Sequence, residues 1–369
     1  MPPAKVMSSL TSAAGDARTD TRRYFRRRLI VWGLLFLVVA LILAYFVPTG
    51  WVLVGPGKVL SVLPATEIVW SSPPVKSAGA ATDGEVLMLT VAAQPANLYR
   101  LAAWAAGFVP YAAALRTSDL MPTGLSDAEY LAYTTEQMAE SVGIAATVAH
   151  WALGLEAAAT GSGARVIGLT SNRTPVADGP RPDDIILAAG TPVAMSGDLA
   201  PILRGRSPGQ SILLEVWRDE RLVTVAAPIV AAPVGADESR LGVALLTVNA
   251  RFSTLHTVRV DTDGITGPSG GLALALAAYV ALGGEDVLAG RVVAASGYLR
   301  ADAAGTIGPV GGVMFKAIAA AQAGADLMLV HPTNLAEAEA AGTGVEVVAV
   351  TSFADAIAYL RRSSLTRPK

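Results

Sequence analysis

The chain has 369 residues, 52% hydrophobic and 16% charged, which is enough apolar material for a sizeable core shared among two or three structural units. Its formal charge of −2 supplies neither the basic field that a nucleic-acid partner requires nor an acidic tail. Cysteine is absent, which excludes disulfides, thiol catalysis and thiolate metal sites yet fits either a reducing or an oxidising compartment.

Residues 1–21 are rich in Ser, Thr, Ala and charge and read as a short disordered lead. Residues 29–47 follow as 19 consecutive positions without a charge, close to the ~20 that a helix needs to cross a bilayer. Arg22, Arg23, Arg26, Arg27 and Arg28 precede this run and Trp51 follows it. The positive-inside bias therefore predicts a cytoplasmic segment over 1–28, a transmembrane helix over 29–47 and everything beyond residue 50 outside the cell. A cleaved secretory signal is the rival reading, but the run exceeds the ~7–15 residues of such a core and no A-x-A site follows. Residues 48–81, with Pro56, Gly57, Pro64, Pro73, Pro74 and Gly79, suit an extended linker better than regular structure. A strand over 85–91, an apolar helix over 98–108 and a longer helix over 127–149 come next, the last opened by Ser126 with Glu129 three residues on as a capping box.

From 153 to 230 the texture changes to short strands at 165–170, 185–188, 211–217 and 222–229, with Arg218, Asp219 and Glu220 as a tight turn and one short helix within 197–204. The runs VIGLTSNRTPVADGPRPDDIILAAGTPV and SPGQSILLEVWRDERLVTV resemble a PDZ domain of the bacterial protease-associated kind. That family usually has Gly-Asp before its Ile-rich strand, where this chain has Asp183 and Asp184. The resemblance implies that Leu153, Gly154 and Leu155 form a loop whose backbone amides capture a peptide carboxylate. Gly154 could equally end the preceding helix.

The last third alternates strands at 243–248, 257–260, 291–295 and 327–331 with helices at 269–282 and 313–323. Gly267-Pro268-Ser269-Gly270-Gly271 and Gly308-Pro309-Val310-Gly311-Gly312 are near copies, each opening an apolar helix. A serine at a helix mouth sits where backbone N–H groups and the positive end of the dipole converge, and Gly270 and Gly271 leave room for a substrate backbone. The bland reading of Ser269 is an ordinary N-cap. Lysine usage argues further, because Lys316 is the only lysine between Ser77 and Pro368. Arginine keeps its proton at physiological pH, whereas a buried lysine can lose it and act as a base. Val313, Met314, Phe315, Ala317 and Ile318 around Lys316 are apolar, as such a pocket demands, although a snorkelling surface lysine is the bland reading.

GPSGG followed by an apolar helix, and then GxxGPVGGVxxKxxAAxxAGA, resemble the proteolytic domain of the Lon family. The resemblance implies a Ser-Lys dyad in which Ser269 is the nucleophile, Lys316 the general base, and the amides of Ser269 and Gly270 the oxyanion donors. Ser296, in AASGYL, stands where the family commonly has threonine and is implied to hydrogen-bond the lysine. Thr266 replaces the acidic residue typical of ATP-dependent members, with Asp263 further upstream, and no G-x-x-x-x-G-K-[ST] loop exists to run an ATP motor.

Anchor, PDZ-like module and Lon-type domain together resemble a bacterial family of membrane-bound PDZ and Lon-like proteins. In that family a segment over 82–152, containing QMAESVGIAA, begins the proteolytic domain, and the PDZ-like module over 153–230 is inserted before the remainder over 236–363. The expected fold class is α+β: one transmembrane helix, a Lon-type mixed α/β domain and a small β-rich domain inserted in it. A Ser-His-Asp triad finds only His150, His256 and His331, none in a recognisable setting, and zinc-ligand spacing is lacking. The two glycine loops could bind phosphate as helix N-termini do, which would leave the lone lysine unexplained. The reading is thus an ATP-independent serine endopeptidase without cofactor or metal, acting on protein or peptide substrates at the membrane. Lon-type domains commonly form rings, so the resemblance extends to a homo-oligomer, a hexamer. The alternative is a catalytically silent membrane-anchored scaffold that binds protein tails.

Overall fold

A computed structural model describes residues 5–47, 49–71, 83–170, 179–231, 239–284 and 286–365. The chain divides into two compact units, Met1–Trp51 with Pro95–Pro110, and Val52–Gln94 with Tyr111–Lys369. In the first, helix α1 (Lys5–Phe46) contains a 22-residue span, Phe25–Phe46, with mean hydropathy 2.8 and no residue buried. Among the described residues, one helix is therefore long and apolar enough to cross a membrane. The expected disordered lead is instead helical from Lys5. Residues 5–21 contain no proline and a single glycine, so once the apolar span supplies the nucleus, elongation adds one hydrogen bond per residue. Helix α2 (Leu98–Ala105) is capped by the Asn97 side chain and ends three residues earlier than expected. Gly107 adopts φ +78° there, and Phe108 N–H reaches back to the Ala103 carbonyl in a Schellman closure. The Tyr99 hydroxyl donates to the Leu41 carbonyl of α1.

The second unit begins with strands β1 (Trp51–Ser61), β2 (Thr66–Val69) and β3 (Glu85–Ala96), then β4 (Ala113–Arg116), the short α3 (Thr117–Leu120) and the long α4 (Asp127–Ala152). The linker expected over 48–81 is thus largely strand, with residue 48 and residues 72–82 outside the described segments. Val52, Leu53, Val54 and Val62 are buried, so this stretch pairs as part of the core rather than lying on the surface. Gly57 is needed because a Cβ there would stand 2.7 Å from the Thr90 backbone. The Ser126–Glu129 capping box forms as expected at the start of α4.

Strands β5 (Ala157–Thr160), β6 (Ala164–Leu169) and β7 (Ile185–Ala188), helix α5 (Leu199–Leu203), and strands β8 (Ser211–Arg218) through β9 (Arg221–Pro228), β10 (Val230–Ala231), β11 (Ser239–Arg240), β12 (Val243–Thr247), β13 (Arg251–Thr254) and β14 (Thr257–Val260) follow. The chain ends through α6 (Gly271–Ala281), β15 (Val292–Ser296), β16 (Tyr298–Leu299), β17 (Ile307–Gly308), α7 (Val313–Gln322), β18 (Leu327–Val330), α8 (Leu335–Glu339), β19 (Glu346–Ala349) and α9 (Phe353–Leu365).

Six strands form a central sheet in the order β19-β18-β15-β3-β1-β4, with β15 parallel to both β3 and β18 and β18 parallel to β19. Its middle strands are apolar runs without alternation, the signature of a sheet covered on both faces. Val86, Met88, Val293, Ala295, Leu327 and Leu329 face a core completed by α4, α6 and α9. Leu87, Leu89, Ala294, Met328 and Val330 face the other way, onto α7 and α8. The fold is accordingly mixed α/β, and the ends of β3 and β15 lie between the two helices that carry Ser269 and Lys316 at their mouths.

A second, antiparallel sheet, β12-β6-β7-β8-β9, closes its own core with Leu199 and Leu203 of α5. The β8–β9 hairpin turns on Asp219 and Glu220, both at positive φ, the backbone of a two-residue primed turn. Asp183 stands at φ +69°, the conformation a glycine would hold without strain and an aspartate tolerates better than most. The next residue, Asp184, is buried and grips Arg218 through two contacts, Nε to Oδ1 at 2.7 Å and Nη2 to Oδ2 at 2.6 Å.

Candidate functional site

Gly312, at φ +69°, turns the chain into α7, and Lys316 is the fourth residue of that helix. Its side chain is 2% exposed. Nζ donates to Ser269 Oγ at 2.8 Å and to Ser296 Oγ at 3.0 Å. Ser296 is fully buried at the end of β15. Three residues far apart in the chain therefore meet at one nitrogen. No salt bridge to Lys316 forms among the described residues. Burial pushes its pKa down to about 8, and the Glu337 carboxylate opposes this only in part. Glu337 is exposed and accepts a hydrogen bond from Met314 N–H at 3.3 Å, at the mouth of α7.

The loop that carries Ser269 is held on both sides. Gly267, at φ +90°, donates to the Thr134 carbonyl at 2.8 Å, and Ser141 Oγ donates to the Pro268 carbonyl at 3.3 Å, so α4 fixes the loop from below. Pro268–Gly270 form a 3-10 turn leading into α6. The Ser269 carbonyl accepts from Gly297 N–H at 3.0 Å, and the Gly297 carbonyl accepts from Leu272 N–H at 3.1 Å, which ties the loop to the end of β15. Gly270 is a packing glycine, since a Cβ there would lie 2.3 Å from Met88 Sδ. Gly308 is another, because a Cβ would come within 1.9 Å of the Tyr298 ring.

The two loops of like sequence fold differently. In the second, Asn334 clamps Val310 from both directions, Oδ1 accepting from Val310 N–H at 3.0 Å and Nδ2 donating to its carbonyl at 2.9 Å. Asn334 is buried and does not stand out in the sequence; its only signal is an uncommon buried amide after His331-Pro332-Thr333.

Ser269 lies between two clefts. One, of about 270 Å³, is lined by Met88, Thr90, Met138, Thr266, Gly270 and Lys316 together with Ser269. The other, of about 450 Å³, has Ser269, Tyr298 and Gly311 on one wall and α5 with β12 on the opposite wall. Thr266 thus faces the site, whereas Asp263 stands away from it at φ +51°, paired with Lys58 on the surface.

One expected binding loop is overturned. The amides of Leu153, Gly154 and Leu155 are spent on the carbonyls of the last turn of α4, with Leu155 N–H reaching His150 at 2.9 Å and Gly154 N–H reaching Trp151 at 3.0 Å. With Gly154 at φ +70° this is a helix C-cap, and the strand that follows, β5, pairs with β13 rather than with the second sheet. Each of the three histidines is held by hydrogen bonds. His150 is buried, with Nδ1 2.7 Å from the Ala146 carbonyl and Nε2 accepting from His256 N–H at 3.2 Å. His331 bonds Thr333 beside the Asn334 clamp. No group of metal-ligating side chains assembles among the described residues.

Searches against protein-family models and against curated proteins give no match to this chain.

Proposed function

We propose that the chain is a membrane-anchored serine peptidase of the Lon type, working without ATP through Ser269 and Lys316. The observation that carries this reading is the 2.8 Å contact between Ser269 Oγ and a buried lysine amine whose pKa lies at about 8. At neutral pH about a tenth of such an amine is already free of its proton, and the fraction grows tenfold per pH unit below the midpoint.

In its neutral form Lys316 takes the proton from Ser269 Oγ as that oxygen attacks the scissile carbonyl carbon. The Gly270 amide, in the turn beside the nucleophile, meets the negative charge that develops on the carbonyl oxygen. Lys316 then hands its proton to the leaving amine, which departs as the C–N bond breaks and an ester to Ser269 remains. Water attacks the ester carbon, gives one proton to Lys316, and the second half-reaction releases the new carboxyl terminus and restores the serine. Ser296 keeps the amine from rotating away between the two halves. The second, antiparallel sheet fills the part of a PDZ-like module for choosing substrates, and α1 holds the catalytic part at the outer face of the membrane, with the arginine cluster on the cytoplasmic side.

The test uses the full chain in detergent, with casein and fluorogenic peptides as substrates and a fluorophosphonate as active-site label. Wild type hydrolyses both substrates and is labelled on Ser269, while Ser269→Ala and Lys316→Ala lose at least ~100-fold in kcat/KM. Equal hydrolysis by all three proteins would overturn the assignment.

A further inference from the structure

We propose that α2 is a second membrane contact, lying in the outer headgroup layer against the end of the span that α1 provides. This goes beyond hydrolysis at Ser269 and rests only on the anchor in the reading above.

Three observations within the N-terminal unit converge on α2. The first is composition without cover. Arg100 is the one charge of the helix, and none of its residues is buried among the described residues. Leu98 and Tyr99 are exposed, and Phe108, just beyond the Schellman closure, is 81% exposed. A helix that is apolar nearly all round belongs in a core or in lipid, and the chain supplies no core here. The second is charge. From residue 86 to residue 118 the chain has no carboxylate, so nothing acidic accompanies α2 toward an anionic headgroup layer, which an arginine suits.

The third is position. The Tyr99 hydroxyl donates to the Leu41 carbonyl, and its ring lies 6.4 Å from that of Tyr45. Leu41 precedes Phe46, the end of the apolar span, by five residues. At 1.5 Å per residue the contact therefore lies about 7.5 Å inside the outer end of the span. Interfacial helices sink by a similar depth, about 5–10 Å. A hydroxyl at that depth has little water to bond, and the spare lone pair of a main-chain carbonyl is the partner that remains. Val38, Leu41, Ile42, Tyr45 and Phe46 also form with Tyr99 an open apolar groove of about 540 Å³, which an acyl chain of the outer leaflet fills. Tyr45, Tyr99 and Trp104, with Trp51 just past the span, are the amphipathic rings that gather where lipid meets water.

A lone span leaves its unit free to turn about the helix axis, and α2 seated in the headgroup layer fixes that rotation. The chain enters α2 from the catalytic unit at Gln94 and returns to it at Tyr111. The lipid contact is thus tied to the catalytic unit by two connections besides the one through α1.

Because the chain has no cysteine, an introduced thiol takes a nitroxide label at one place only. The full chain is reconstituted into vesicles of phosphatidylcholine and phosphatidylglycerol and labelled in turn as L98C, F108C, F36C in mid-span, and L222C on the exposed side of β9. Each variant is first checked for wild-type thermal unfolding. Collision with oxygen, which concentrates in lipid, is compared with collision with a nickel chelate, which stays in water. L98C and F108C should read lipid within about 10 Å of the phosphates, with F36C deeper and L222C in water. Water at both α2 sites together with lipid at F36C overturns the inference and leaves the anchor standing. Water at F36C as well removes the anchor, and the inference falls with it. Shielding of the α2 labels from both relaxants, with dipolar broadening between them, puts a second copy of the chain on α2 and overturns the lipid contact.

Discussion

Replacing Lys316 by methionine should abolish hydrolysis and, near neutral pH, make the protein more stable. The side chain is almost fully buried and forms no salt bridge among the described residues, so its proton is held against the environment. A lysine whose pKa is about 8 in the fold against an ordinary 10.5 carries about 3 kcal/mol of destabilisation in its charged form. Between those two values the unfolded chain binds the extra proton, so stability rises with pH across that window. Below about pH 8 the full penalty is present. Methionine has similar bulk without charge and removes the penalty, but it forfeits the hydrogen bonds to Ser269 and Ser296, worth about 1 kcal/mol each. The net gain near pH 7 is then about 1 kcal/mol, turning into a loss of about 2 kcal/mol near pH 10.5. The hydrogen-bond contribution cancels from the pH dependence, which leaves a change of about 3 kcal/mol between the two conditions, or roughly 4 °C in a chain of this size. Thermal unfolding of wild type and Lys316→Met in the same detergent, from about pH 6.5 to 10.5, reads this difference directly, because all other titrating groups are common to both proteins. Parallel curves for the two proteins would refute a desolvated lysine at this position.

Fluorophosphonate labelling of Ser269 should speed up with pH through a midpoint at about 8, and Glu337→Gln should move that midpoint to lower pH, since the carboxylate is what partly restores the lysine's proton affinity. Ser296→Ala should lower kcat by about 10- to 100-fold and also shift the profile to lower pH, because an acceptor for the ammonium is lost; a drop in kcat with an unmoved profile would speak against this role. Gly57→Ala should destabilise by about 1–3 kcal/mol in thermal unfolding, as its Cβ would strike Thr90 inside the central sheet. Burial holds His150 below its ordinary 6.5, so the unfolded chain binds the extra proton and stability should fall as pH drops through 6.5; His150→Gln should flatten that part of the curve.

Period and capping chemistry make much of the fold legible in the sequence. The Ser126–Glu129 box, the two-residue turn at Asp219 and Glu220, and the uninterrupted apolar strands β15 and β18 each follow from local rules. Expectation and structure part where tertiary pairing outweighs composition. Prolines and glycines in 48–81 suggest a linker, yet β1 lies inside the central sheet, its Gly57 chosen by contact with Thr90 rather than by flexibility. The N-terminal lead is disordered by composition, although it continues the helix that the apolar span begins. Leu153–Gly154–Leu155 resembles a binding loop because a glycine between two leucines satisfies that pattern as well as it satisfies a helix stop. Lys316 stands out because a lone lysine in an arginine-using chain is a chemical choice, whereas Asn334 acts through two backbone contacts that leave no such trace.

The paired Gly-Pro-x-Gly-Gly loops show how nearly identical residues take unlike roles. In the first, Gly267 carries the positive φ, the turn tightens over Pro268–Gly270, and the serine is left partly exposed beside two clefts. In the second, the positive φ falls on Gly312, at the far end of the motif, so the helix starts later and Lys316 enters one turn inside it. Asn334 holds Val310, the counterpart of the serine, by its backbone and prevents this loop from copying the first. Had both loops tightened alike, α7 would begin earlier and the lysine would rotate by about 100° per residue around its helix, away from Ser269 and toward a neighbouring surface. The short Nζ–Oγ contact therefore depends on the asymmetry between the loops as much as on their likeness, with the polar clamp at Asn334 located outside either motif.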